Sequence, residues 1–157
     1  MKPFIVCLIL GCLALTSCRT DIVYSRFCPI PSEQWAIDSV ARFDYAIADT
    51  ASSYQMLIYV RHTERYPYQN MWLFVGDSLH KDTIEFYLAD DRGRWLGDRH
   101  HGSIEMPVLL EENYHFPDTG SYTLTVQHGM RDSLLRGVMD VGLEVREITN
   151  KEVRIKN

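Results

Sequence analysis

Residues that could carry out catalysis are present in this 157-residue chain, but none stands at a spacing typical of a known reaction. The sequence has no Gly-x-Ser-x-Gly turn for a nucleophilic serine, no Gly-rich phosphate-binding loop, no His-Glu-x-x-His and no Cys-x-x-Cys. Without such spacing, the local backbone does not bring a serine, a histidine and an acid together. We therefore predict no catalytic residues, and an enzyme is the least favoured class of function.

His100 and His101 are the best candidates for a metal site, with Asp98 and Glu105 close by in the sequence. Neighbouring side chains on an extended chain point to opposite faces, so one ion rarely receives both histidines. A structural zinc site also needs four ligands, which this segment does not assemble locally. The sequence therefore predicts solvent-facing histidines, no metal and no cofactor.

Two segments, 63–70 and 88–97, combine aromatic and charged side chains. Interface centres are rich in tryptophan, tyrosine and arginine, and a tryptophan ring can stack on a sugar or on a partner's side chain. In the alternative, Trp95 plugs an open end of the domain and Arg94 pairs with one of the preceding aspartates. We favour the plug and expect Trp95 to be more than half buried. The candidate partner or ligand surface consists of Tyr66, Tyr68, Asp90, Arg92, Arg94 and Trp95.

The N-terminus has the pattern of a secretory signal peptide, because Lys2 precedes an apolar run from Phe4 to Leu15. This run is too short to span a bilayer, which takes roughly 20 residues. It ends in Leu15-Thr16-Ser17-Cys18, the pattern of a bacterial lipobox, whose cysteine receives a diacylglyceryl group and becomes the new N-terminus. The alternative is an ordinary signal peptide with an incidental cysteine. A lipid on Cys18 predicts a membrane anchor, since each buried methylene contributes about 0.8 kcal/mol.

The rest of the chain is short enough for one domain. Residues 21–27 are either part of a flexible tether or a first strand, and the sequence leaves both open. The predicted divisions are a signal peptide at 1–17, a lipidated tether at 18–30, a β-sandwich domain at 31–150 and a C-terminal tail at 151–157.

Composition excludes several classes of protein. With 46% hydrophobic and 11% aromatic residues, disorder is not expected. Lys and Arg number 16 against 21 Asp and Glu, without a basic run, so we expect no nucleic acid as partner. Two of the four cysteines leave with the signal peptide and Cys18 is acylated. Cys28 then stands alone, so we predict no internal disulfide and a half-buried structural residue.

Apolar and polar residues alternate with a period of two along most of the chain after residue 41, which is the strand signal. The clearest runs are 42–47, 56–61, 84–88, 122–127 and 141–146. The run 71–75 is apolar throughout and is predicted to be buried on both faces or to lie at a sheet centre. We therefore predict an all-β fold, a single antiparallel β-sandwich that is immunoglobulin-like or jelly-roll-like, with a closed barrel as the lesser option.

The segment Asp118-Thr119-Gly120-Ser121-Tyr122 is typical of the corner at which immunoglobulin-like sandwiches enter their penultimate strand. There the tyrosine hydroxyl bonds to the backbone upstream, and Gly120 supplies the special backbone angles. The alternative is a plain hairpin turn. The corner predicts that Tyr122 is mostly buried and that 138–148 pairs beside 122–128.

Several short stretches of the chain form a recognisable set together with the lipobox at Cys18. They are Arg61-x-Thr63-x-x-Tyr66-Pro67-Tyr68-x-Asn70, Asp82-Thr83-Ile84-Glu85, Leu88-Ala89-Asp90, Gly93-Arg94-Trp95-Leu96-Gly97, Phe116-Pro117-x-x-Gly120-x-Tyr122, Gln127-x-x-Met130-Arg131 and Val141-Gly142-Leu143. In these stretches the chain resembles the GldH family of gliding-motility lipoproteins from the Bacteroidetes. Two departures are His62, where asparagine is usual, and a short linker between Val75 and Asp82.

This resemblance implies a cell-envelope lipoprotein needed for surface gliding and connected with the type IX secretion apparatus. It carries over no catalytic site, and only Cys18 receives a defined role. The expected function is a non-catalytic component or stabilising partner of an envelope complex. The alternative is a glycan- or peptide-binding module that uses Trp95, Tyr66 and Tyr68.

The expected partners are the membrane, through Cys18, and other envelope proteins. Since Arg19 stands where an inner-membrane retention signal would have Asp, we expect the outer membrane, facing the periplasm.

Overall fold

The computed structural model describes residues 21–77 and 81–148. The signal peptide, Cys18 and the tail at 151–157 lie outside the described residues, so the predictions made for them stay predictions. The described strands are β1 (Ile22–Pro29), β2 (Gln34–Ala36), β3 (Ala41–Ile47), β4 (Ser53–His62), β5 (Asn70–Gly76), β6 (Lys81–Tyr87), β7 (Asp98–His100), β8 (Ser103–Tyr114), β9 (Gly120–His128), β10 (Leu134–Arg136) and β11 (Val138–Ile148). A short 3-10 helix at Pro31–Glu33 precedes β2.

Two antiparallel sheets face each other. Sheet one has the strand order β1-β11-β4-β8-β7, and sheet two has the order β3-β9-β5-β6. A two-stranded ribbon, β10-β2, accompanies them. The edge strands β1 and β3 lie close together, since the rings of Tyr24 and Tyr45 are 5.6 Å apart. The predicted all-β sandwich is confirmed, and no helix in the described ranges is long and apolar enough to cross a membrane.

The alternating sequence pattern becomes the core because each strand buries one face. On β3, Phe43, Tyr45 and Ile47 are buried while the residues between them are exposed. On β4, Ile58 and Val60 are fully buried. Period-two alternation places such residues on one side of a sheet. The opposed inner faces therefore supply the packed interior of the sandwich.

Residues 71–75 lie at a sheet centre, one of the two predicted placements, but they are not buried on both faces. Met71, Leu73 and Val75 face the core, but Trp72 is 38% exposed and Phe74 is 43% exposed. Strand β5 lies inside sheet two, between β9 and β6, yet no described element covers the outer face of that sheet. Two large aromatic rings are therefore presented to solvent.

The hydrogen bond of the Tyr122 corner forms as predicted, but the strand predicted to pair beside β9 lies in the other sheet. The Tyr122 hydroxyl donates to the Asp118 carbonyl oxygen at 2.7 Å, and the ring is mostly buried against Phe116 at 4.7 Å. Gly120 has a φ of 138°. The predicted pairing of 138–148 with 122–128 is wrong, because β11 lies in sheet one between β1 and β4 while β9 lies in sheet two. The connection from β8 to β9 crosses between the sheets, so the strand order is not immunoglobulin-like.

Strand direction gives the sandwich two distinct ends. Strand β1 begins at Ile22 opposite Arg146, and the loops 48–52 and 115–119 lie at this same end, which we call the anchor end. The loops 63–69, 88–97 and 129–133 lie at the opposite end, which we call the distal end. Strands of seven to eight residues rise about 3.3 Å per residue, so roughly 25 Å separate the two ends.

Candidate functional site

Asp90 organises the turn that carries Arg92 and Arg94 at the distal end. Its Oδ1 accepts the backbone N–H groups of both arginines at 2.9 Å, and its Oδ2 accepts Arg94 Nε at 2.7 Å. These backbone hydrogen bonds, with the Arg94 guanidinium, hold the pKa of Asp90 below its usual range. Gly93 completes the turn with a φ of 74°. The predicted pairing of Arg94 with a preceding aspartate is confirmed.

Trp95 packs inward from this turn. Its backbone forms an antiparallel bridge with Ala89, and its ring lies 4.8 Å from the His62 ring and 6.4 Å from the Tyr66 ring. The side chain packs against the core and is more than half buried, as predicted. The ring thus covers the distal opening of the sandwich.

Gly97 places the end of this segment directly against β8. It has a φ of 84°, and a Cβ at this position would overlap the carbonyl oxygen of Glu105. L side chains rarely adopt such backbone angles, and no other residue lacks a Cβ. The run from Gly93 to Gly97 therefore has a structural explanation in the turn, the ring and the close approach.

His62 is the packing partner of Trp95, and it is fully buried at the end of β4. Its Nδ1 lies 3.1 Å from the Thr63 carbonyl oxygen, while its Nε2 has no hydrogen-bond partner. Burial lowers the pKa of the imidazole. Sequence reasoning noted His62 only as a departure from the family pattern, although the residue continues the inward alternation of Ile58 and Val60.

The prediction that Tyr66 belongs to an exposed surface is wrong. Tyr66 is only 2% exposed, and its hydroxyl donates to the Asn70 carbonyl oxygen at 2.8 Å. Burial raises the pKa of its phenol. Gly137 packs so tightly on this loop that a Cβ there would overlap the Tyr66 backbone nitrogen. The ring is therefore part of the core and is not available to a ligand.

The six residues of the predicted surface do gather at the distal end, but only some of them are exposed to solvent. Tyr68 is 39% exposed, and its hydroxyl donates to Asp132 Oδ2 at 2.8 Å. Arg92 and Arg94 are exposed as well. Because Tyr66 and Trp95 point inward, no cleft lined by Tyr66, Tyr68 and Trp95 exists for a ligand.

A depression on the outer face of sheet two was not found from the sequence. It has a volume of about 310 Å³, and we call it the Trp72 depression. A signal was present, since Trp72 and Phe74 alternate with Met71, Leu73 and Val75, but the run was interpreted as buried on both faces or central in a sheet. Its lining residues are Tyr68, Asn70, Trp72, Gly129, Met130 and Arg131.

The Trp72 depression opens where the ladder between β5 and β9 ends. The last pair in this ladder is Leu73 with His128, after which the Gly129 N–H donates to the Trp72 carbonyl oxygen at 2.7 Å. The Trp72 N–H meets only the weak acceptor Met130 Sδ, at 3.4 Å. Beyond this point the chain turns away from β5 and leaves the outer ring of Trp72 accessible.

Metal ligands do not cluster in the described part of the chain. No group of three or more His, Cys, Asp or Glu side chains is arranged to hold an ion among residues 21–77 and 81–148. His100 and His101 are exposed beside the tight turn between β7 and β8. Cys28 is half-buried and free, with its Sγ 3.8 Å from the Arg42 carbonyl oxygen.

The fold and the site define an all-β sandwich domain that carries arginine and aromatic side chains at one end and on one sheet face. The chain belongs to the GldH lipoprotein family, whose model matches residues 22–145. It is 28% identical over 150 residues to the "Gliding motility lipoprotein GldH homolog" of Christiangramia forsetii, covering 88% of this chain and 91% of that protein. It is 26% identical over 152 residues to the "Gliding motility lipoprotein GldH" of Flavobacterium johnsoniae, covering 89% and 94%. The resemblance predicted from the motifs is confirmed, and the chain is a gliding-associated lipoprotein by family.

Proposed function

We propose that this chain is a lipid-anchored, non-catalytic partner within an envelope complex of the gliding and type IX secretion apparatus. Two relatives that span nearly its whole length are named gliding motility lipoproteins. The role is to bind and stabilise another envelope protein through the distal end. The anchor is a diacylglyceryl group on Cys18, in the outer membrane and facing the periplasm.

The separation of the two ends of the sandwich carries this proposal. Only residues 19–21 lie between Cys18 and the first residue of β1, Ile22. An extended chain spans at most about 3.5 Å per residue, so the anchor end lies within roughly 14 Å of the lipid attachment point. The distal end is then directed away from the bilayer, where a second protein can reach it.

The exposed side chains of the distal end suit a protein partner. Tyr68, Arg92 and Arg94 are exposed there, and tyrosine and arginine are common among residues that dominate binding energy. The hydrogen bonds that Arg94 donates to Asp90 hold the arginine in one orientation, which lowers the entropy lost on binding.

Site-specific photocrosslinking in cells tests this arrangement. A photoreactive residue replaces Arg92 at the distal end, and the matched control replaces Asp118, which lies in an exposed loop at the anchor end. We expect one envelope protein to crosslink from position 92 and not from position 118. Deleting the gene should lower the abundance of that same protein.

Two results would contradict the proposed function. One is crosslinking from position 118 that equals crosslinking from position 92. The other is a deletion strain in which the abundance of every envelope protein and gliding itself are unchanged.

A further inference from the structure

We propose that the Trp72 depression is a saccharide-binding site. This goes beyond the partner role, because it concerns the outer face of sheet two and a small ligand, and it does not depend on which protein binds the distal end. The ligand class is an envelope saccharide whose sugar ring lies on Trp72.

The aromatic walls supply the stacking surface. Trp72 and Tyr68 are 38% and 39% exposed on the sheet face and at its rim. The face of an aromatic ring is negative, and it attracts the slightly positive C–H groups on the apolar face of a sugar. The Tyr68 ring is held in place by an edge contact with Tyr66, 6.0 Å between centroids. Gly129 allows its chain to pass close to Trp72, since a Cβ there would lie only 3.3 Å from the Trp72 Cβ.

Polar groups around these rings match the hydroxyl edge of a sugar. Asn70 Nδ2 donates to Glu85 Oε1 at 2.6 Å, and the Tyr68 hydroxyl donates to Asp132 Oδ2 at 2.8 Å. An ionised carboxylate accepts about four hydrogen bonds, so both acids keep free acceptor positions for ligand hydroxyls. Arg131 is exposed and forms no ion pair with any described residue, so its guanidinium donors are available.

This mixture of groups favours a sugar over a protein side chain. Acidic residues are depleted at the centres of protein interfaces, whereas arginine and tryptophan are enriched there. Here the carboxylate of Glu85 stands directly opposite Trp72 in the ladder. A volume of about 310 Å³ is also at the lower end of the range for small-molecule sites. The lining therefore holds an aromatic platform, an amide and a guanidinium, and the carboxylates of Glu85 and Asp132 lie beside it as partners of Asn70 and Tyr68. These groups suit a hydroxyl-rich ring.

Binding to defined saccharides tests the proposal. The mature lipidated protein, in a detergent without a sugar headgroup, is applied to a glycan array that samples neutral, N-acetylated and uronic-acid oligosaccharides. Isothermal titration calorimetry with chitotetraose and tetragalacturonate then compares the wild type with two variants. Trp72→Ala should weaken binding at least tenfold. Leu109→Ala, which removes an apolar side chain 52% exposed on sheet one, should leave Kd within twofold.

The two titrations also show which group of the sugar Arg131 contacts. Binding of tetragalacturonate that Arg131→Gln weakens, with chitotetraose unaffected, assigns the guanidinium to a sugar carboxylate, while equal weakening assigns it to hydroxyls. The proposal is overturned if the folded wild type binds no class of saccharide on the array. It is also overturned if Trp72→Ala binds as tightly as the wild type. Crosslinking from position 92 is a separate readout, so either proposal can fail alone.

Discussion

At the scale of single residues, Trp95 and Trp72 differ in what their rings contact. Trp95 packs on His62 and Tyr66 under the distal loops, whereas Trp72 lies on an open sheet face. Trp95→Ala should therefore lower the free energy of unfolding by about 3 kcal/mol, near the lower end for deleting a packed tryptophan, because the ring is not fully buried. Trp72→Ala should change it by less than about 1 kcal/mol. Urea unfolding of both variants measures the difference, and equal losses would contradict the assignment of Trp95 as a plug.

Two buried histidines predict how stability depends on pH. Burial lowers the pKa of both His62 and His128 below the ordinary 6.5. The unfolded chain then binds protons that the folded chain does not, so stability falls as pH drops from 6.5 towards the folded pKa values. Each histidine contributes up to about 1.4 kcal/mol per pH unit within that window.

Thermal unfolding between pH 7.5 and pH 5.5 measures this effect. The carboxylates with lowered pKa values, such as Asp90, remain charged in both states over this range, so they do not contribute. His128→Gln should reduce the slope of the melting temperature against pH. Burial raises the pKa of Asp140, which acts in the opposite direction, so the test is the difference between wild type and His128→Gln. Equal slopes for the two proteins would contradict burial of the neutral His128 imidazole.

At the scale of elements, replacing the two glycines of the 88–97 segment should lower stability by different amounts. Gly97→Ala places a methyl group against the Glu105 backbone at a positive φ, so β7 must shift away from β8. We expect a loss of more than about 2 kcal/mol, above the 1–2 kcal/mol typical of a left-handed backbone alone. Gly93→Ala is the matched control, because its φ is also positive but nothing lies within 4 Å, and it should lose only about 1 kcal/mol. Similar losses from both variants in urea unfolding would contradict the close approach.

The corner before β9 can be tested by removing one hydroxyl group. Tyr122→Phe removes the hydroxyl that bonds to Asp118 and keeps the ring against Phe116. The expected cost is about 1 kcal/mol, the usual net value of one hydrogen bond. Tyr87→Phe is the control, because Tyr87 is exposed at the edge of sheet two and should change nothing. Chemical denaturation measures the free energy of unfolding of both variants. An unchanged value for Tyr122→Phe would show that the corner hydrogen bond does not stabilise the fold.

At the scale of the whole molecule, lipid attachment and folding should be separable. Strand β1 begins at Ile22, beyond Cys18, and the core lies downstream of the attachment position. Cys18→Ser should therefore leave a folded domain that moves from the membrane fraction to the soluble fraction of fractionated cells. Melting temperature confirms folding, and immunoblotting of the fractions measures the shift. A variant that still sediments with membranes would mean that protein contacts, and not the lipid, provide the main anchor.

The sequence by itself determined the features that depend on neighbours in the chain. Alternation in 42–47 and 141–146 predicted strands and their inward faces, because side chains change side at every residue of an extended chain. The ion pair between Asp90 and Arg94 and the corner at Tyr122 were predicted for the same reason, since each spans only four residues. The family resemblance also followed from short stretches of residues.

Tertiary structure alone decided which surfaces are covered and which strands meet. An apolar run such as 71–75 does not reveal whether a second layer lies outside the sheet. No segment among residues 21–77 and 81–148 forms such a layer, and Trp72 is exposed there. The neighbours of β11 depend on contacts far apart in sequence, and they put it beside β4 instead of β9. Tyr66 is buried because Gly137, more than 70 residues later, packs against its loop. Alternation specifies a side chain's face, but only the packing of distant segments specifies what that face meets.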